Sequence, residues 1–408
     1  MELKLFNKNF IFLLTGHAFA LFGHYLLMFA LPFYVLHATG SPAIFGTISA
    51  IAFLPMIIMS PIGGIVADRV NKKRVIVIMY LSISALIFLF IWASGFMSAI
   101  PIIVMLMMGV YALESVPAVD ASVPQIVPES QIVRASGMVS LAGQVPEFVA
   151  PIVAGLLFVS FGLIPIVVIC AICYVLAGTM GLFIKIPHVK QEVTASIPSM
   201  IKNDVQTTVK FLCKDNPHML KIIMTFAILG LFMLPMLPIG LPILITGYLG
   251  MSSEMLGLAM GIAIGLGGII SGIVASIVGD KLKMKDGLKL LLLSCLAILP
   301  IGVVLWLGLN LVVTFVIIVA STMVIMITVS LFMIRLFGYI QVETPEEIMG
   351  KVISAVTVLA MFTHPLGFFL YGIMFERLYN MPWVVLFFVA VISLGIIGYS
   401  ARYFRQIK

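Results

Sequence analysis

The sequence predicts an all-α membrane protein with twelve transmembrane helices in two pseudo-symmetric six-helix bundles, and three observations support this prediction. Hydrophobic residues make up 62% of the 408 residues and charged residues only 10%, whereas soluble domains carry about 25% charged residues. Apolar runs long enough to cross about 30 Å of hydrocarbon as helices recur along the chain. Two short polar sequences also recur about half a chain apart.

Apolar runs separated by polar breaks define the twelve predicted spans. The first six cover residues 10–36, 42–66, 74–95, 100–124, 134–160 and 163–184. The other six cover residues 218–246, 252–279, 287–307, 310–339, 350–376 and 380–401. We therefore expect an N-terminal bundle (1–184), a linker (185–217) and a C-terminal bundle (218–408).

Some of these segments carry features of their own. The first span is too long for the apolar region of a cleaved signal peptide, so we expect it to stay as an anchor. Pro235, Pro238 and Pro242 predict a bend or a break in span 7. Apolar residues at helical spacing, with lysines between them, predict an amphipathic helix in the linker, lying on the inner membrane face.

The basic residues predict the orientation of the chain. With a cytoplasmic N-terminus, all but one of the 23 Lys and Arg residues fall in inner segments. The exception is Arg377, which follows Glu376. This bias predicts that both termini are cytoplasmic and that the protein is a multi-pass protein of the cell membrane. Because the basic residues are spread over separate loops, the net charge of +7 does not indicate nucleic acid binding.

Internal repetition predicts the two bundles. VADRVNKKR after span 2 matches VGDKLKMKD after span 8, so that Asp68 and Arg69 correspond to Asp280 and Lys281. PESQIVRAS before span 5 matches PEEIMGKVI before span 11. Both copies of each sequence lie on the same side of the membrane. The halves are therefore predicted to be parallel repeats related by an axis along the membrane normal.

The charged loop after span 2 resembles a family signature. Its residues are Gly64-x-x-x-Asp68-Arg69-x-Asn71-Lys72-Lys73. This resembles the loop motif between the second and third helices of the major facilitator superfamily, in which glycine is usual at the position of Asn71. Because Asn tolerates the left-handed conformation, we expect it to form the turn. ALPFYVLHATGSP, FLPMIIMSPIGGIVADR and KFLCKDNPHMLK further resemble the macrolide-efflux-type permeases, the third drug:proton antiporter group.

The resemblance implies a gating role for this loop. In the family, the aspartate at the position of Asp68 pairs with cations and a helix N-terminus and stabilises the outward-facing state. The residues implied in gating are Gly64, Asp68, Arg69, Lys72, Lys73, Asp280 and Lys281. The alternative is that the charges only set the topology, but topology alone does not explain the fixed spacing of the aspartate and the glycine.

Span 5 partly matches a second family motif, which is typical of antiporters. The family pattern is Gly-x8-Gly-x3-Gly-Pro-x2-Gly-Gly. Its counterpart here comprises Gly137, Pro146, Pro151 and Gly155. Alanine replaces glycine at two positions and Pro146 replaces a third glycine, so the sequence departs from the full antiporter pattern.

Ionisable residues at membrane depth are the candidates for ion coupling, because each is costly there and functional by default. No Gly-x4-Gly-Lys-Ser/Thr motif for nucleotide binding occurs, so the driving force would be an ion or substrate gradient. The proton-coupling candidates are Glu114 near the middle of span 4, Glu147 in span 5, His24 and His17 on one face of span 1, and His364 in span 11. The alternative for each is a hydrogen-bonded role in helix packing.

The sequence thus predicts a secondary active transporter for proton-coupled efflux of small lipophilic or amphipathic compounds by alternating access. The alternatives are an uptake symporter or facilitator for a small polar metabolite, and a non-transporting membrane receptor. The expected partners are a small-molecule substrate, the proton and the lipid bilayer, and we expect a monomer. We predict no enzymatic activity, because the sequence shows no clustered catalytic set, and no cofactor. We predict no metal or redox site at Cys170-x-x-Cys173, because it lies within an apolar helix where small packing residues are common.

Overall fold

The computed structural model describes residues 5–186, 197–278 and 284–404. Within these ranges, the description leaves out the side chains of residues 64, 65, 67–69, 133, 197–202, 204, 278, 346 and 347. The described chain is almost entirely helical. Eleven of its helical segments are long and apolar enough to cross a membrane, and residues 99–114 form a shorter apolar helix. This architecture confirms the predicted all-α membrane fold.

The first half of the chain contributes six long helices and the linker helix. Their bounds are α1 (Lys8–Thr39), α2 (Pro42–Arg69), α3 (Lys72–Ala93), α4 (Ala99–Glu114), α5 (Ile132–Phe161), α6 (Leu163–Phe183) and α7 (Ile197–Lys210). The second half contributes α8 (Pro217–Met233), α9 (Ser253–Met260), α10 (Gly267–Val278), α11 (Gly287–Leu296), α12 (Ile298–Leu307), α13 (Leu311–Glu343), α14 (Glu346–Arg377) and α15 (Pro382–Phe404).

The predicted interruption of span 7 is confirmed. Helix α8 ends at Met233 and a 3₁₀ turn follows over Leu234–Met236. Residues 237–239 form a turn, and a π-helical segment covers Ile243–Tyr248. Proline lacks the backbone N–H and its ring clashes with the preceding helical turn, which explains the break.

Span 4 is shorter than the sequence predicts. The helix ends at Glu114, and the 3₁₀ turn Asp120–Ser122 and the short helix Val123–Ile126 follow it. Pro117 explains the end, because a residue that precedes a proline disfavours the α-helical conformation. Glu114 is therefore the last residue of its helix, and the prediction that it lies near the middle of span 4 is wrong.

The chain divides into two compact units. Unit 1 comprises Met1–Ala38 and Ile51–Ile197, and unit 2 comprises Thr39–Ala50 and Pro198–Lys408. Contacts inside unit 2 explain why the start of α2 belongs there. The Ser41 hydroxyl donates a hydrogen bond to Glu376 Oε2 (2.9 Å), and the backbone N–H of Ala43 donates to the same oxygen (3.2 Å). A Cβ atom on Gly46 would lie 2.8 Å from the Cα atom of Gly372, so these two helices meet at their backbones.

Candidate functional site

Small residues bring α1, α3 and α6 close together in unit 1. A Cβ atom on Gly23 of α1 would lie 3.2 Å from Cys173 Cβ and 3.3 Å from the ring of Tyr174 in α6. A Cβ atom on Gly178 of α6 would lie 2.6 Å from Leu81 Cδ2 in α3. Helices that lack side chains at their contact can approach closely. This packing holds Tyr174 against the turn of α1 that carries His24.

A carboxylate and an imidazole form a pair in this packed region. His24 Nδ1 lies 2.5 Å from Glu114 Oε2, and each side chain is 18% exposed. The hydroxyl of Tyr174, which is fully buried, donates a hydrogen bond of 2.5 Å to Glu114 Oε1. The rings of Tyr25 and Tyr111 meet the His24 ring edge-on. Both oxygens of the Glu114 carboxyl therefore have a partner, and aromatic rings surround the imidazole.

The position of Glu114 explains why it needs these partners. It ends α4, where the partial negative charge of the helix dipole disfavours a carboxylate. Burial disfavours the charged form as well. An imidazole proton and a tyrosine hydroxyl offset both effects, because hydrogen bonds to an ionised group are the stronger ones. The shared proton can therefore reside on the imidazole, as an ion pair, or on the carboxyl, as two neutral groups, without leaving the contact.

A second histidine lies two turns from His24 on the same helix. The ring nitrogen Nδ1 of His17 is 3.1 Å from the Tyr80 hydroxyl of α3. Tyr80 is buried, and its ring centroid is 6.2 Å from that of Tyr174. Residues His17, His24, Tyr80, Glu114 and Tyr174 thus lie together, and we call them the polar cluster. They come from α1, α3, α4 and α6 of unit 1.

The other two candidates for proton coupling are placed differently. Glu147 is half-buried in α5 of unit 1, and its charge acts on His24 more weakly than that of Glu114 does. His364 lies in α14 of unit 2, where its Nδ1 is 3.1 Å from the carbonyl oxygen of Ala360, one turn earlier. Its ring also meets Phe368 edge-on. Both of these contacts lie within α14, whereas His24 contacts Glu114 of another helix.

The structure describes part of the charged loop motif. Asp280 and Lys281 lie outside the described residues, as do the side chains of Asp68 and Arg69, and Gly64 lies within α2. Lys73 Nζ donates a hydrogen bond of 2.6 Å to the carbonyl oxygen of Leu182 at the end of α6.

Asn71 does not form the left-handed turn that the sequence predicts. Its backbone angles are φ −57° and ψ 110°, and its side chain accepts a hydrogen bond from the backbone N–H of Arg74. Asn71 is therefore the N-cap of α3, a position at which Asn is among the preferred residues. This capping role explains why Asn replaces glycine without loss of the loop.

The end of α2 contacts the chain directly after Glu114. A Cβ atom on Gly63 would lie 2.6 Å from the carbonyl oxygen of Ser115. The backbone that leads into the loop motif therefore packs against the residue next to the carboxylate. A shift of the α2 end would have to move Ser115 as well, because a packed interior does not deform continuously.

Helix α5 continues through the residues of the antiporter-type motif. Pro146 and Pro151 lie inside α5 and both are buried, as is Gly155. A Cβ atom on Gly137 would meet nothing within 4 Å, whereas one on Gly143 would lie 3.2 Å from Leu21 Cδ1 in α1. The motif region therefore includes one contact with the helix that carries His24.

Tyr80 and Tyr174 are the cluster residues that the sequence analysis missed. Each is an uncharged residue within a long apolar run, so a search for charges at membrane depth passes over it. A buried tyrosine hydroxyl usually has a hydrogen-bond partner. That rule would have marked both tyrosines as polar positions in need of a partner.

The chain belongs to the Major Facilitator Superfamily, whose family model it matches over residues 13–368. It is a multi-span membrane transporter of this family. Among curated proteins it is similar to macrolide efflux protein A of Streptococcus pyogenes, with 26% identity over 191 residues, which are 46% of this chain and 47% of that protein. Macrolide efflux protein A of Enterococcus faecalis is 26% identical over 159 residues, which are 38% of this chain and 49% of that protein. The matches span about half the length of these relatives.

Solved transporter structures share the fold. A nucleoside transporter has a TM-score of 0.75 and 17% identity, with 98% of this chain and 100% of that chain covered. A D-xylose-proton symporter has a TM-score of 0.71 and 13% identity, with 95% of this chain and 96% of that chain covered. A bacterial homologue of the iron transporter ferroportin in an inward-facing state has a TM-score of 0.68 and 17% identity. The match covers 96% of this chain and 98% of that chain. These similarities establish the major facilitator fold.

Proposed function

We propose that this transporter exports small amphipathic compounds in exchange for protons, and that the His24–Glu114 pair is the coupling site. The observation that carries the proposal is the 2.5 Å contact between an imidazole and a carboxylate that are each only 18% exposed. The similarity to macrolide efflux proteins supports export. In this proposal the chain works as two bundles (1–184 and 218–408) joined by the linker 185–217, with both termini cytoplasmic.

The pair supplies a simple exchange rule. Neutral imidazole beside ionised carboxylate has one negative charge, and one added proton makes the pair neutral overall. A cationic amphipathic substrate would favour the ionised pair, whereas a proton would displace that substrate. Each ligand can shift the conformational equilibrium only by its difference in affinity for the two states. Competition at one carboxylate therefore links export of the substrate to entry of a proton.

The contact between Gly63 and Ser115 supports a link from this site to the loop motif of Gly64, Asp68, Arg69, Lys72 and Lys73. Protonation of Glu114 changes its hydrogen bonding with Tyr174 and His24. The chain directly after Glu114 packs against the end of α2. We propose that this contact passes the state of the pair to the gating loop. Glu147 is the second candidate for the coupling site, because its charge acts on His24.

The test uses inside-out vesicles and ethidium, a fluorescent lipophilic cation. An imposed acidic interior should drive ethidium uptake by the wild type, and Glu114→Gln and His24→Gln should abolish that uptake. The control is Glu254→Gln, which removes an exposed carboxylate in α9 of unit 2. Gradient-driven uptake that survives Glu114→Gln would move the coupling site to Glu147.

The same vesicles distinguish export from uptake. A wild type that moves neither ethidium nor a radiolabelled macrolide into acidic inside-out vesicles contradicts the export proposal. Such a result would favour the alternative of a symporter or facilitator for a small polar metabolite, which can be tested by uptake of labelled sugars and nucleosides into whole cells.

A further inference from the structure

We propose that Tyr174, Tyr80 and His17 form the route by which the proton of the His24–Glu114 pair travels to the end of unit 1 that carries Asp120. This inference rests on the proposed function, since it assumes that the pair holds the coupled proton. It assigns a role to two tyrosines that the coupling proposal does not need. The route runs through α1, α3 and α6, whose backbones pack closely in unit 1.

The first step of the route is the short hydrogen bond at Glu114. Tyr174 donates to Oε1 at 2.5 Å, and His24 Nδ1 is 2.5 Å from Oε2. A proton that moves from His24 arrives on Oε2. Rotation of the carboxyl group then brings it to the tyrosine oxygen, once the Tyr174 hydroxyl has turned away from Oε1. Since Tyr174 is completely buried, its hydroxyl exchanges protons with neighbouring groups and not with bulk solvent.

The second step joins the two tyrosines and ends at His17. The ring centroids of Tyr174 and Tyr80 are 6.2 Å apart, so transfer between the hydroxyls needs a rotation or one bridging water molecule. The Tyr80 hydroxyl is 3.1 Å from His17 Nδ1. Transfer in this direction requires Nδ1 to accept, and hence the tautomer of His17 that carries its proton on Nε2.

Protons balance along the whole route. The Tyr174 hydroxyl first turns from Glu114 toward Tyr80, and each tyrosine oxygen then receives a proton from the preceding group as its own hydroxyl proton passes to the next acceptor, so no tyrosinate accumulates. His17 takes a proton on Nδ1 and releases one from Nε2. One proton leaves the His24–Glu114 pair and one leaves His17. Rotation of the hydroxyls and exchange of the His17 tautomer then restore the starting arrangement.

The exit of the route lies at a polar turn. Asp120 is exposed in the 3₁₀ turn Asp120–Ser122, and its charge acts on His17 together with that of Glu114. Asn7 Nδ2 donates a hydrogen bond of 2.7 Å to the carbonyl oxygen of Ile126, which ties this loop to the start of α1. Asp120 can therefore accept the proton that leaves His17 and pass it to water.

Other titratable groups face this region from the packed helices. They are Tyr25 and Tyr111 beside His24, Glu147 of α5, and the thiols of Cys170 and Cys173 in α6. In contrast to the route residues, Tyr25 and Tyr111 contact His24 through ring edges. They serve as comparison positions for substitutions that remove a hydroxyl near the pair.

The test compares two transport modes of purified protein in liposomes, with ethidium as the probe. Net uptake driven by a pH gradient requires proton release on every turnover, whereas exchange of labelled for unlabelled ethidium does not. Tyr80→Phe should lower gradient-driven uptake by roughly 100-fold and leave exchange at the wild-type rate. Tyr371→Phe is the matched control, since it removes a buried hydroxyl that donates to the Phe232 carbonyl oxygen in unit 2.

The outcomes separate this route from the proposed function. If the wild type shows no gradient-driven uptake, the coupling proposal fails and the route fails with it. If the wild type is coupled and Tyr80→Phe retains gradient-driven uptake, the route is wrong and the coupling proposal stands. Equal loss of both modes in Tyr80→Phe would show a structural role and would also overturn the route.

Discussion

Replacing Tyr174 by phenylalanine tests how the polar cluster controls the charge on Glu114. The change keeps the ring that packs against Gly23 and removes only the hydroxyl that donates to Glu114 Oε1. A hydrogen bond to a charged group contributes about 1.5–3 kcal/mol, and one pH unit corresponds to about 1.4 kcal/mol. The carboxylate loses this stabilisation, so the pair should keep its proton up to a pH about one to two units higher.

The assay is the pH dependence of ethidium exchange by the purified protein in liposomes, with equal pH on both sides. Because the proton and the cation compete, the pH of half-maximal exchange should rise by about one to two units in Tyr174→Phe. Tyr371→Phe should leave this midpoint unchanged. An unshifted midpoint in a Tyr174→Phe protein that folds and transports would show that the Tyr174 hydroxyl does not stabilise the ionised carboxylate.

Two further predictions concern the scaffold, and thermal unfolding of the detergent-purified protein checks both. Asn71→Ala removes the side chain that accepts from the Arg74 N–H, so it should lower stability by about 1 kcal/mol; Asn71→Asp keeps a capping oxygen and should retain the midpoint. Gly46→Ala would put a Cβ atom against the Phe368 carbonyl oxygen and should lower the midpoint. Gly338→Ala is its control, because a Cβ atom there meets nothing within 4 Å. Equal midpoints for the two alanine variants would contradict the close packing.

Hydropathy predicted the spans well because each membrane helix must satisfy its backbone internally and present apolar side chains to lipid. Span 3 was predicted as 74–95 and forms Lys72–Ala93, and span 6 was predicted as 163–184 and forms Leu163–Phe183. Span 4 failed because its apolar run continues past the helix end. Pro117 ends the helix at Glu114, and an average of hydropathy does not include the effect of proline on the backbone.

The candidate site was predictable only in part. The seven-residue spacing of His17 and His24 places both on one face of α1, and charge at membrane depth singled out Glu114. The contact between His24 and Glu114 depends on how α1 and α4 pack, which no local pattern encodes. The tyrosines depend on packing of α3 and α6 through glycines, so their role also emerges only in three dimensions. The N-cap role of Asn71 could have been predicted from the sequence, since Asn is a preferred capping residue.

The most direct test of proton-coupled export through the His24–Glu114 pair is proton movement driven by a substrate gradient. Purified protein in liposomes with a trapped pH-sensitive dye would receive an ethidium gradient in place of a pH gradient. Proton-coupled export through this pair predicts that the wild type moves protons against the ethidium flow and that Glu114→Gln, which cannot ionise and so resembles the protonated pair, moves no protons. Ethidium movement by the wild type with no proton movement in the opposite direction would contradict it.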